Sequence, residues 1–155
     1  MTKNLLAAAA AFTLAFGFSA TTHAQMPTWS TEQMGAWKVV SDSWVDDVAQ
    51  NGKWPGEYAD PQFITWSTDS PSPRNRDGAI RWTRFNEKQG KVLHYEITPQ
   101  AIALSGNTAV VSYTLLIVTQ QGTDKPDHDQ EAITETLVRS GGSWKYLSSV
   151  SFPLD

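Results

Sequence analysis

The spacing of apolar positions divides the chain into a helical front and a strand-rich back. Met34, Trp37, Val40, Trp44 and Val48 recur at helical intervals, while Lys38, Asp42, Asp46 and Asp47 fall on other faces. Ser30 or Thr31 can cap this segment, and Gln33 stands three residues after Ser30, where a capping box needs it. With Asn51-Gly52 as a stop, the pattern predicts a helix over Ser30–Gly52. Trp54–Asp60, with Pro55 at its start and Pro61 after it, predicts a short second helix. Phe63–Ser67 alternates and predicts a strand. Thr68–Arg74, which holds Asp69, Pro71 and Pro73, predicts a loop. Ile80, Trp82, Thr83 and Phe85 then share adjacent faces of a helix over Asn75–Gln89, stopped by Gly90.

From Lys91 onward the period is two. Lys91–Thr98 places Leu93, Tyr95 and Ile97 on one side and His94 and Glu96 on the other, and Pro99 ends the run. Ala101–Leu104 predicts a short strand before the tight turn at Ser105-Gly106-Asn107. Thr108–Gln120 predicts a long strand, apolar on both faces, and Gly122–Gln130 a polar loop. Glu131–Ser140 and Ser143–Phe152 predict a hairpin around Gly141-Gly142. Helices followed by a run of antiparallel strands predict an α+β layer architecture. No repeat or linker divides it.

The first 24 residues read differently. Lys3, the apolar run Leu5–Phe18 and the small-x-small site Thr22-His23-Ala24 form a signal-peptide pattern, with cleavage expected before Gln25. Residues 25–155 are then expected to be one exported domain, periplasmic or secreted from a bacterium, with no membrane contact after cleavage.

Composition narrows the chemistry. The 155 residues contain no cysteine, which excludes disulfides, thiolate metal sites and cysteine nucleophiles. A formal charge of −4 argues against a nucleic-acid partner, which would call for a basic face. Seven Trp, four Tyr and six Phe make rings the dominant large side chains. No nucleophile elbow, phosphate-binding glycine loop or zinc-binding helix motif occurs. Asp124, Asp127, His128, Asp129 and Glu131 could form a divalent-metal loop, but their spacing matches no EF-hand and reads as a solvated turn. No metal or cofactor is expected.

Four segments carry a family resemblance: Tyr58-Ala59-Asp60-Pro61, Asp77-Gly78-Ala79-Ile80-Arg81, Asn107-Thr108-Ala109-Val110-Val111-Ser112-Tyr113 and Gly142-Ser143-Trp144-Lys145-Tyr146-Leu147. In order and spacing they resemble the nuclear transport factor 2-like superfamily, in its SnoaL-like and ketosteroid isomerase-like branch, over Glu32–Pro153. The resemblance implies a cone. A curved, mostly antiparallel sheet wraps two long helices and one short helix and encloses a pocket. It implies a small-molecule-binding domain of open activity, an isomerase, cyclase or dehydratase, or a non-catalytic dimerisation or assembly module.

The isomerase branch uses a carboxylate base on the first strand and two donors to an enolate oxygen. The resemblance places the base at Trp66, give or take one residue, where an indole accepts no proton. The nearest carboxylate is Asp69. The tyrosine donor falls on Trp44-Val45, which offers no phenol, and the acidic donor falls close to Glu135. Where relatives carry histidines on the last strand, Leu147–Ser151 has none. The catalytic candidates are therefore Asp69 and Glu135, with Tyr58, Tyr113 or His94 as donor. Glu135 is also open to a plainer reading, as a cross-strand partner of Lys145 or Arg139. Trp54, Tyr58, Trp66, Trp82 and Tyr113 are the expected ligand-binding residues, lining a pocket for a small apolar or aromatic molecule. The same rings could equally fill the cone as core. A homodimer is expected through the outer sheet face, assigned here to Leu116, Val118, Leu137 and Leu147.

Overall fold

The computed structural model describes residues 28–68 and 70–154. The order is α1 (Thr31–Val48), β1 (Ala59–Trp66), β2 (Arg74–Asn75), α2 (Arg76–Asn86), β3 (Gly90–Ser105), β4 (Thr108–Gln121), β5 (Asp127–Ser140) and β6 (Ser143–Pro153). The six strands form one mixed sheet in the order β2-β1-β6-β5-β4-β3. Its only parallel pair is β1 with β6.

Local chemistry starts both helices. The Ser30 hydroxyl accepts from the Gln33 amide, and the Gln33 side chain accepts from the Ser30 amide at 2.7 Å, which completes the capping box. Asn75 caps α2 by accepting from the Gly78 amide at 2.9 Å. Helix α1 packs on β3, β4 and β6, and α2 packs on β1 and β2. Between helices and sheet sits a core that includes Ala36, Val40, Phe63, Val111, Leu137 and Tyr146.

The structure differs from the sequence expectation in three places. Trp54–Tyr58 is a turn, not a short helix. It makes helix-like hydrogen bonds from Glu57 to Lys53 and from Ala59 to Pro55, after which Ala59 enters β1. Among the described residues the helices are thus two, of 18 and 11 residues. Pro99 does not divide the strand after it. β3 runs through as 16 residues because it is an edge strand, where a missing N–H costs no ladder bond, and a bulge between Pro99 and Ala101 absorbs the misfit. The expected polar loop Gly122–Gln130 is shorter, since Asp127–Gln130 pair with β4 from Leu116 to Thr119.

Gly90 shows why a small residue opens β3. A Cβ built there would lie 2.6 Å from the Gln120 carbonyl oxygen, so the two strand ends meet only with glycine.

Candidate functional site

Strand alternation decides which side chains line the concave side of the sheet. On β4 these are Tyr113, Leu115, Ile117 and Thr119, and on β5 Asp127, Asp129, Glu131, Ile133 and Glu135. Together with Ser43, Trp44 and Asp47 of α1, Trp82 of α2, and Tyr146 and Ser149 of β6, they enclose a cavity of about 550 Å³. A second recess of about 570 Å³ adjoins it and shares Asp47, Trp82, Thr83, Asn86 and Gln121.

Glu135 is the buried polar group of this cavity, with 3% of its surface exposed. The Tyr113 hydroxyl donates to Glu135 Oε1 at 3.0 Å and accepts from Trp44 Nε1 at 2.9 Å. Glu135 Oε2 has no hydrogen-bond partner. Burial pushes the carboxyl up to about 8, against the opposing pull of Ser149, its partner across the ladder on β6, and of Tyr113. Burial likewise lifts the phenols of Tyr113 and Tyr146 above their usual range. Ser43 and Tyr146 share a hydrogen bond of 2.6 Å beside the carboxyl. Trp54 meets the Tyr146 ring edge-on, with centroids 4.9 Å apart. The cavity therefore holds a carboxyl that is largely protonated at neutral pH, with one oxygen unpaired.

A second perturbed carboxyl stands at the C-terminal end of α1. Asp47 is half-buried, and burial, with the charge of Glu87 nearby, raises it to about 7. The sequence reading placed Asp47 only among the polar faces of the helix. Its spacing of three from Trp44 was the available signal, because that puts both on one side of α1.

The candidates separate clearly in space. Glu135, Tyr113, Trp54 and Trp82 line the cavity together. Tyr58 does not. Its hydroxyl donates to Asp46 Oδ2, and the same carboxylate accepts from Asn51 at Oδ1 and from Lys53 at both oxygens. Trp66 does not either. It is 50% exposed, and its indole donates to the Ser70 carbonyl, while its chain neighbours Thr65 and Ser67 face the cavity. Asp69 lies outside the described residues. His94 is exposed on the outer side of β3. Lys145 donates to the Glu57 carbonyl and Arg139 pairs with Glu32 at 2.7 Å, so both expected cross-strand partners of Glu135 are engaged elsewhere.

Alternation also splits the acidic segment. Asp127, Asp129 and Glu131 turn to the cavity side, and among the described residues no three acids or histidines converge as a metal site. On the outer face one assignment changes: Leu137 is fully buried in the core, because it shares the parity of Ile133 and Glu135. The exposed apolar side chains there include Leu116, Val150, Phe152, Ile64 and Trp66.

No family model matches the sequence, and no curated protein does. Solved structures do match. A ketosteroid isomerase-like protein from Erwinia carotovora atroseptica superposes with a TM-score of 0.72 at 9% identity, over 82% of this chain and 99% of that one. An NTF2-like protein from Cytophaga hutchinsonii superposes with a TM-score of 0.68 at 9% identity, over 81% of this chain and all of that one. The fold is thus the nuclear transport factor 2-like fold, of the kind found in ketosteroid isomerase-like proteins. At such identities the likeness carries the fold and no residue roles.

Proposed function

We propose that the chain is an exported small-molecule-binding domain whose cavity takes a small, largely apolar or aromatic molecule, with Glu135 as its polar anchor and proton-exchanging group. The observation that carries this reading is Glu135 itself. A buried carboxyl with an unpaired oxygen on the wall of a 550 Å³ cavity is costly for folding unless something uses it. Protonated, its free oxygen donates to a carbonyl or hydroxyl of the ligand. Ionised, it withdraws a proton. Tyr113 and Trp44 hold the other oxygen in place. That is the equipment of an acid–base enzyme of the isomerase or dehydratase type, and Asp47 supplies a second titrating group on the cavity wall.

The test is NMR of the Trp44 and Trp54 indole N–H groups during titration with benzyl alcohol. Saturable shifts in wild type that weaken in Glu135→Gln support the reading. Shifts confined to exposed Trp66, or none, overturn it. The export reading rests on Lys3, Leu5–Phe18 and Thr22-His23-Ala24, and cell fractionation that finds only uncleaved chain in the cytoplasm overturns it.

A second reading concerns the outer sheet face. Trp66 and Val150 are register partners on β1 and β6, both about half exposed, with Ile64 and Phe152 nearby. Such a patch suits burial by a second copy of the chain. Light scattering that finds a monomer at millimolar concentration removes it.

A further inference from the structure

The charges around the cavity are all of one sign. Asp47, Asp127, Asp129, Glu131 and Glu135 line it, and among the described residues no Lys, Arg or His does. Lys91 borders the adjoining recess instead. Four of the five acids stand on one face of β5, and successive residues on such a face are roughly 7 Å apart. They form a column leading from the exposed Asp127 and Asp129 to the buried Glu135.

The inner end of the column is walled by rings. Trp44, Tyr113 and Tyr146 surround the carboxyl, and Trp54 packs on Tyr146. Glu135 Oε2 has no partner there. A buried carboxylate oxygen without a donor, in a cavity lined by acids and no base, is the chemical complement of a positively charged nitrogen. The oxygen supplies both charge and an acceptor. A ligand without a polar head would leave Oε2 unpaired.

Resting on the pocket reading above, we infer that the ligand of this cavity carries an organic ammonium, which donates to Glu135 Oε2 among Trp44, Tyr113 and Tyr146 while its apolar body lies along Leu115 and Ile133. The proton balance is simple. The ammonium keeps its protons and Glu135 releases one to solvent, so binding ejects one proton per ligand at neutral pH. The carboxylates at Asp127 and Asp129 raise the local concentration of cations and speed their arrival.

Calorimetry with benzylammonium and with benzyl alcohol, in two buffers of different ionisation heat, tests the inference. The expected result at pH 8 is binding of benzylammonium at least tenfold tighter than benzyl alcohol. Below pH 8 the affinity for benzylammonium falls by about tenfold per pH unit, with one proton released, as Glu135 becomes protonated. The other groups facing Glu135 are Tyr113 of β4, Tyr146 of β6, Asp47 of α1 and Glu131 of its own strand. The two tyrosines titrate far above this window, and Asp47→Asn separates its contribution. Glu135→Gln abolishes both the preference for the cation and the proton release. Equal or tighter binding of benzyl alcohol by wild type overturns the ammonium inference and leaves the pocket standing. Binding of neither probe overturns both. The wild-type comparison stands without the variant, should that fail to fold.

Discussion

The Tyr113 hydroxyl donates to Glu135 at 3.0 Å from the adjacent strand, one register step away, since Glu135 pairs with Val111 and Tyr113 with Ile133. Both side chains point to the concave side because both have the inward parity of their strands. The bond joins two of the buried polar groups that the sheet presents to α1, and Trp44 of that helix closes the chain of donors. Replacing Tyr113 by Phe removes one donor to the carboxyl and strands the Trp44 N–H. The expected cost is about 1–3 kcal/mol in urea denaturation, with the Glu135 titration moved upward. An unchanged NMR titration of the Glu135 side chain would show that the bond does not matter in solution.

Stability should decline as the solution becomes alkaline. The folded pKa of Glu135, about 8, lies above its ordinary value of 4.5. Between these values the folded state holds a proton that the unfolded chain has lost, so raising pH favours unfolding throughout the window. Asp47 acts in the same direction between 3.8 and about 7. Denaturation midpoints are therefore expected to fall from pH 5 to pH 8.5. Glu135→Gln flattens that slope and at pH 8.5 is more stable than wild type by about 2 kcal/mol. A wild-type midpoint that stays level or rises over this range contradicts the assignment.

Glu87 offers a separable check on Asp47. Its charge is one of the two causes that raise the Asp47 carboxyl, the larger being burial. Glu87→Gln is expected to lower the Asp47 titration measured by NMR, by less than one pH unit because burial persists. Glu135 should titrate as before.

Gly90→Ala tests the strand junction. The new Cβ meets the Gln120 backbone oxygen at 2.6 Å, and backbone cannot yield as a side chain tip does. A loss of about 2 kcal/mol is expected in thermal denaturation, with the β3–β4 amides nearest the junction exchanging faster. Wild-type stability in this variant would mean that the strand ends are free to separate.

The N-terminal cap is a milder test. Ser30→Ala removes the hydroxyl that accepts from Gln33, and about 1 kcal/mol of stability should go with it. The Gln33 side chain also donates to the Ile102 carbonyl at 2.6 Å, so Gln33→Ala should cost more than Ser30→Ala.

Several features were legible in the residue order because they depend on short-range chemistry. The capping box at Ser30, the helical stripe of Trp37, Val40 and Trp44, and the Gly141-Gly142 hairpin rest on spacings of two to four residues. Glu135 could be named because the family resemblance puts an acid close to it, while the residue order left a cross-strand pair with Lys145 or Arg139 open as well. What tertiary structure alone decided was parity at the irregular strands and the company each acid keeps. The register shift between β5 and β6 at Thr136/Leu137 brings Tyr146 and Ser149, which differ in parity, to the same cavity, and no local spacing announces a bulge. Tyr58 became the partner of Asp46 through the turn after α1. Asp47 and the acids of β5 face one cavity only because α1 crosses the sheet where it does. The sequence by itself determined how many carboxyls and rings the protein has and which elements carry them. The pairing of strands, a non-local outcome, decided which of them share one cavity.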